Sequence, residues 1–480
     1  MAATLLSLTL LISACAVNPV TGKRQIMLVS ESQELAMGQQ YDPQVIASFG
    51  DYKNDNILSF IQTKANEMGK LSHRPALEYH LRVLDSPVVN AFAVPGGYIY
   101  LTRGILAQLN NEAELTGIIG HEMGHITARH SMSQQSKQQL GQLILIGGMI
   151  ASEKFASYAQ YAMQGMQLLF LSFSRADERQ ADQLGVEYSS KIYYDAHKMA
   201  DFFNVLNKMN LASNVGGVPT FLSTHPDPGD RLIAVNKMAT EWQDSLKAPQ
   251  WKVNGNEYLK MIDGIIYGED PRQGYKDGNV FYHPELLFRF SIPDRWVLEN
   301  SPMQVTMAPE DGKAMIVFSM SPQKTPEAAA EATMKELGLT LQENKNVTIN
   351  GIPALATVSK QVTQDESTGV QQTNMILSYF INYNNLIYVF HGVSTEADFS
   401  AYVPVLRSSM TSFAKLTEAS RINVKPKKIL VRSVQKAGAL SDAFTYYKVP
   451  NDKMSEMALL NNMELTDRVV AGKLIKIVGE

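Results

Sequence analysis

Of 480 residues a single one, Cys15, is cysteine. No disulfide can form within the chain, so stability has to come from burial and hydrogen bonding. Positive charge is not in excess either: 43 Lys and Arg stand against 47 Asp and Glu, a net charge of −4. That balance removes the electrostatic footprint of a nucleic-acid binder, and no nucleic-acid partner is expected. Long hydrophobic runs are missing as well. The longest after the N-terminal region, Leu140 to Ala151, falls well short of the roughly 20 residues a spanning helix needs. There is no P-loop, no Gly-x-Gly-x-x-Gly following a strand and no serine on a nucleophile-elbow pattern. What remains, with 45% hydrophobic and 19% charged residues, is an ordinary globular composition. The length suits roughly two to four domains of about 100 to 200 residues.

The position of the cysteine is informative. An apolar run from Leu5 to Ala14 ends Leu11-Ile12-Ser13-Ala14-Cys15, with small residues before the thiol as at a signal-peptide cleavage site. This resembles a bacterial lipobox. The resemblance implies a signal peptide over 1–14, lipidation of Cys15 as a membrane anchor and, from Ala16 at the next position, the periplasmic face of the outer membrane. The alternative is an incidental cysteine after a buried apolar segment.

Residues 15–30 carry Asn-Pro and Thr-Gly turn signals and suit a tether. A helix is expected from Ser30, with Gln33 at the capping-box position. A second, Asn56 to Lys70, has apolar residues three and four apart. Leu77 to Leu84 and Val88 to Leu101 read as strands, the latter interrupted by Pro95-Gly96-Gly97. Asn111 to Ser131 is the clearest helix, capped by Asn111 with Glu114 in support, and Gln139 to Ile150 and Tyr158 to Phe173 read as further apolar helices. The fold class expected is α+β and multidomain: a mainly helical domain with a small sheet over 31–247, a Gly-, Pro- and Asp-rich linker over 248–278, an antiparallel α+β domain over 279–417, and a small unit over 424–480.

The chemistry is concentrated in His121-Glu122-Met123-Gly124-His125. Residues four apart share a helical face, about 6 Å along the axis, so both imidazoles can converge on one tetrahedral ion. Glu122, one step round, reaches a zinc-bound water rather than the metal and is the candidate general base. A catalytic zinc needs a third protein ligand. The best candidate is Glu178 in Asp177-Glu178-Arg179-Gln180-Ala181-Asp182, where Asp182, four residues on, can take the free N–H of a zinc-bound histidine. Asp177 is an alternative ligand that points about 100° away. His130 would lie some 140° round the same helix from His125 and is not expected to bind. One zinc per chain follows.

In order along the chain, Asn18-Pro19-Val20-Thr21-Gly22, Asn90 to Gly97, His121 to His125, Glu178 to Asp182, and His225-Pro226 with Arg231 resemble the HtpX-like and CAAX-prenyl-protease-like gluzincin metallopeptidases, in their periplasmic lipoprotein branch. The resemblance covers Val17 to Leu246. It implies one catalytic zinc and cleavage of damaged or misassembled polypeptides in the bacterial envelope. It also implies that Asn90, Ala91, Phe92 and Ala93 form an edge strand for substrate, although the residues alone fit an ordinary hairpin arm equally well. His225, carried over in the same way, would stabilise an oxyanion or bind the zinc until substrate displaces it, with a surface turn histidine pairing with Asp227 or Asp230 as the alternative. Arg231 is expected to pair with a carboxylate. The tail, with a strand at each end and a helix over Lys453 to Asn461, resembles a degenerate LysM, which would add peptidoglycan as a partner. A rival reading of the whole is a chaperone-like assembly factor or wall-binding scaffold with a latent zinc site.

Overall fold

The computed structural model describes residues 15–136, 173–212, 220–225, 230–364 and 371–480. The expected signal peptide, the helix Gln139 to Ile150 and all but the last residue of Tyr158 to Phe173 lie outside the described residues. Two compact units form, one from residues up to 269 together with 427–480, the other from 270–426.

The first unit opens with β1 (Cys15–Val17) antiparallel to β2 (Arg24–Ile26). Helix α1 (Glu31–Phe49) starts on the expected Ser30/Gln33 capping box, and α2 (Asp55–Lys70) follows. Strands β3 (His80–Leu84), β4 (Ala91–Val94) and β5 (Tyr98–Thr102) make a sheet in the order β3-β5-β4, with β3 parallel and β4 antiparallel to β5. The strand expected to meet substrate is therefore at an edge of this sheet.

Next come α3 (Arg103–Gln108) and α4 (Glu112–Thr127). Asn111 caps α4 by accepting the Glu114 N–H at 2.8 Å, and the Glu114 carboxylate takes the Asn110 N–H at 2.7 Å. Every residue of α4 is buried. It packs on α5 (Arg175–Lys191), whose start is a Ser174/Asp177 capping box. The two backbones approach along a seam of small residues: a Cβ on Gly120 would lie 3.0 Å from the Gly185 backbone, and one on Gly124 would lie 3.1 Å from that of Ala181. Helices α6 (His197–Ala212), α7 (Thr220–Thr224), α8 (Arg231–Leu246) and α9 (Gly255–Ile262) complete the helical layer.

The α4 helix stops short of Ser131. Arg129 takes a left-handed φ of 56°, and the chain resumes helical conformation over 130–136. The turn is held by the Arg129 guanidinium, which donates to the buried Glu34 carboxylate at 2.8 Å and to the Val29 carbonyl at 3.1 Å.

The organisation differs from expectation at the far end of the unit. Within 248–278, expected as a linker, Tyr258, Ile262 and Ile265 sit in the main core, and the Tyr258 hydroxyl donates to the Leu106 carbonyl at 2.6 Å. In the tail, Lys428–Ser433 pairs antiparallel with Leu474–Gly479, and two helices, Leu440–Tyr446 and Met454–Leu460, lie between them. Ile429, Phe444, Leu460 and Ile475 share one core with Ile61, Leu106 and Ile118. Lys476 is fully buried, and its ammonium donates to the carbonyls of Ala107, Gln108 and Leu109 at 2.8, 3.1 and 2.9 Å, closing the C-terminal end of α3.

The second unit is built on a seven-stranded antiparallel sheet. In spatial order its strands are Thr340–Ile349, Ile352–Gln364, Gln371–Tyr383, Leu386–Thr395, Ala314–Ser321, Gln304–Pro309 and Trp296–Asn300. One face carries an aromatic core that includes Phe288, Phe318, Tyr388 and Phe390, and the other is covered by helix Pro326–Leu337. The antiparallel α+β character matches the sequence reading. The strand Thr340–Ile349, the helix Phe399–Met410 and the tail helix Leu440–Tyr446 were not anticipated.

Candidate metal centre

Helix α4 presents His121 and His125 on one face, α5 presents Glu178 opposite, and His225 follows α7 directly. Ligand-type atoms of these four buried residues all lie within 4.8 Å of one another. The His121 and His125 Nε2 atoms are 3.1 Å apart, and each lies 3.5 Å from a Glu178 oxygen. His225 Nδ1 is 3.1 Å from Glu178 Oε1 and 3.2 Å from His121 Nε2. Donors held roughly 2.0–2.1 Å from a tetrahedral zinc stand about 3.3 Å from one another, so the set has the right size.

The hydrogen bonding also suits a cation. His121 Nδ1 lies 2.9 Å from the Asp182 carboxylate; with the proton there, the His121 Nε2 lone pair points into the cluster. Both Glu122 oxygens, Glu178 Oε2 and His225 Nε2 are buried without a hydrogen-bond partner. Polar atoms left so in a dry site are costly unless an ion or substrate meets them. The three histidines and Glu178 therefore fit zinc, with Glu122 beside the set: its Oε1 is 3.6 Å from His225 Nε2.

Supporting contacts fix this geometry. Arg231 donates to Asp182 at 2.7 Å, lies 3.4 Å from Glu178 and covers the Phe203 ring at 3.7 Å. Phe221 stacks on His225 with centroids 4.6 Å apart, and Phe173 stacks on His125 at 4.0 Å. In the metal-free protein, burial pushes the Glu122 carboxyl above its ordinary value, against the opposing pull of His225 and His121. Burial, with the neighbouring His121, pushes His125 well below its ordinary value. For Glu178 burial acts upward, but His225, His121 and Arg231 outweigh it and leave the carboxyl lowered. For His225 burial acts downward, and Glu178 with Glu122 outweighs it, raising the imidazole.

His121, His125, Glu178 and His225 thus lie together, and Arg231 meets the Asp182 carboxylate. Asp177 is instead the α5 cap partner, accepting from the Ser174 backbone at 3.2 Å. Of the four residues expected at substrate, Phe92 turns its ring into a small core, stacked on Tyr100 at 5.0 Å, so only its backbone is available. Asn90 is tied to the hairpin, its carbonyl accepting from the Thr102 hydroxyl at 2.9 Å. A small cleft beside β4 is lined by Ala93, Val94, Pro95, His125 and Met132. Phe173 went unrecognised in the sequence, although it immediately precedes the Ser174 cap, a position that could have drawn attention; His130, expected not to bind, is outside the ligand set but lies 3.0 Å from His125.

Residues 59–239 match the family described as Peptidase family M48. The chain is 28% identical over 273 residues to a "Beta-barrel assembly-enhancing protease" of Yersinia pestis, covering 55% of this chain and 53% of that one. It is 27% identical over 272 residues to "Metalloendopeptidase OMA1, mitochondrial" of Danio rerio, covering 53% and 56%. The chain thus spans about half the length of the curated relatives it matches. Among solved structures, the Saccharomyces cerevisiae Ran-binding protein Mog1p is 13% identical and covers 31% of this chain and 99% of that one, with a TM-score of 0.23, too low to carry an argument. The His-Glu-x-x-His helix and its carboxylate partner fall inside the matched segment, so residues 59–239, with their zinc-fitting site, are similar to the M48 metallopeptidases.

Proposed function

We propose that the chain is a zinc-dependent endopeptidase acting on unfolded or misassembled polypeptides of the bacterial cell envelope. The observation that carries this is the convergence of His121, His125, Glu178 and His225 in a buried cluster beside an unpartnered Glu122. A bound zinc supplies Lewis-acid polarisation of a peptide carbonyl and of water. Glu122, buried and raised above the ordinary carboxyl range, takes the proton of the attacking water and delivers it to the leaving amine. Asp182 holds His121 in its ligating tautomer, and Arg231 holds Asp182. His225, whose Nδ1 lies within the ligand set, would hold a bound zinc together with the other three until substrate displaces it. The edge strand β4 receives an extended polypeptide through its backbone.

An envelope setting is supported by the relatives' name, beta-barrel assembly-enhancing protease, and by the lipobox-like sequence ending at Cys15, proposed as an anchor on the periplasmic face of the outer membrane. Among the described residues no helix is long and apolar enough to cross a membrane. The strand, two helices and strand of the tail support a LysM-like reading, but its burial in the main core favours a supporting role over peptidoglycan binding. A chaperone-like or scaffold role with a latent site is separated from the peptidase reading by Glu122→Gln. Zinc content should be unchanged while casein cleavage falls about 10²- to 10⁴-fold; equal cleavage by the variant and the wild type would refute the assignment.

A further inference from the structure

We propose that His130 is a positioning residue for the metal centre, holding the ring of His125 and tying it to the helix that carries Glu178. The inference rests on the zinc-peptidase reading above. His130 Nδ1 lies 3.0 Å from His125 Nδ1, and His130 Nε2 lies 2.9 Å from the side-chain oxygen of Gln180. Protonation logic gives this line one direction. For His125 to offer its Nε2 lone pair to the cluster, its proton must sit on Nδ1, where the partner among the described residues is the Nδ1 of His130. That nitrogen must then accept, which leaves the His130 proton on Nε2, where it donates to the Gln180 amide oxygen. Gln180 stands two residues beyond Glu178 on α5, so one hydrogen-bonded line joins a ligand on α4 to the helix of the carboxylate ligand. The Asp177 carboxylate is farther from the same His130 nitrogen, at 3.6 Å.

The backbone is arranged to allow it. On an unbroken helix the fifth residue along would sit about 140° away and could not reach back. The left-handed turn at Arg129 brings the His130 ring into edge contact with His125, centroids 5.0 Å apart. A non-glycine residue keeps such a conformation only where its surroundings over-determine it. Glu34 does so here, accepting from Arg129 at 2.8 Å and from Arg74 at 2.7 Å. The two imidazole ligands are therefore held differently, His121 by the anionic Asp182 and His125 by a neutral ring.

The test is zinc affinity by chelator competition on the full chain. His130→Ala should weaken binding about 10- to 100-fold, the usual effect of losing a ligand's hydrogen-bond partner. His130→Asn, whose amide oxygen stands where Nδ1 accepted, should return to within about threefold of wild type. A side chain needed only to fill space would not show that rescue. Gln180→Met, at the helix surface, should cost about three- to tenfold, and it carries the test if His130→Ala does not fold. Wild-type affinity in His130→Ala, or equal losses in the Ala and Asn variants, would overturn the proposal. Glu178→Ala separates the two levels: if it too binds zinc like wild type, the zinc-site reading itself fails and this proposal with it.

Discussion

Replacing Lys476 by Met should unfold the first unit more easily by about 3 kcal/mol, and the figure can be built from the contacts. The Ala107 and Leu109 carbonyl oxygens lose their donor, at about 1 kcal/mol each for buried acceptors left unpaired, while that of Gln108 loses one of two donors and keeps the Asn110 side-chain amide at 3.0 Å. Glu114, whose carboxyl burial pushes up to about 7, also loses the opposing charge of Lys476. Against these losses Met removes the cost of burying an ammonium, which burial pushes down to about 7. The net lies at the low end of the roughly 3–5 kcal/mol seen when one partner of a buried charged set is removed. Adding Glu114→Gln should recover about 1 kcal/mol, a coupling that a double-mutant cycle reads directly. The assay is urea unfolding followed by tryptophan fluorescence in a Trp296→Phe background. Of the three tryptophans, Trp242 and Trp251 belong to the first unit and Trp296 to the second, so the remaining signal reports the first unit alone. An unfolding free energy within about 0.5 kcal/mol of the parent, the scale of an ordinary surface substitution, would refute the view that the tail is a structural part of the peptidase unit.

Two further outcomes follow from the site. Burial acts to raise Asp182, but Arg231 and His121 outweigh it and leave its carboxyl below the ordinary value. Its stabilising contribution is thus present above an unfolded pKa of about 3.9 and lost as pH falls through the lower folded value. Metal-free Asp182→Asn should be less stable than wild type at neutral pH, with the gap closing below about pH 4; a gap unchanged down to pH 2 would contradict this. Gly120→Val places a branched side chain where even a Cβ lies 3.0 Å from the Gly185 backbone. It should cost about 1–3 kcal/mol as overpacking and weaken zinc binding by parting α4 from α5, and a melting temperature and zinc affinity equal to wild type would count against the seam.

Much of the site was legible because its logic is local. His121 and His125, and again Glu178 and Asp182, are paired four apart on single helices, and that spacing survives any detail of how the helices meet. Arg231 came instead through the resemblance, read there as more apt to meet a carboxylate than substrate. His130 was rightly left out of the ligands, but its contact with His125 was missed because a helical wheel assumes an unbroken helix, and nothing in an arginine announces a left-handed turn. Phe92 could not be placed by pattern alone, since an aromatic on an edge strand serves core and ligand equally. The strand Thr340–Ile349 was missed because it is almost wholly exposed and polar, an edge without a buried face to impose alternation. The role of Lys476 was invisible for a different reason. Its partners lie more than 360 residues away, and in sequence a lysine in the run Leu474-Ile475-Lys476-Ile477 looks like the solvent side of a strand.

The discontinuity of the first unit bears on how the protein is made. A ribosome releases residues 270–426 before 427–480, so the second unit can reach its own fold while the first still lacks the segment that supplies Ile429, Phe444, Ile475 and Lys476. During that interval the carbonyls at the end of α3 have no ammonium to meet, and the platform beneath the zinc helix is unfinished. Until residues 427–480 arrive, the chain carries the His-Glu-x-x-His sequence on a unit whose core is incomplete.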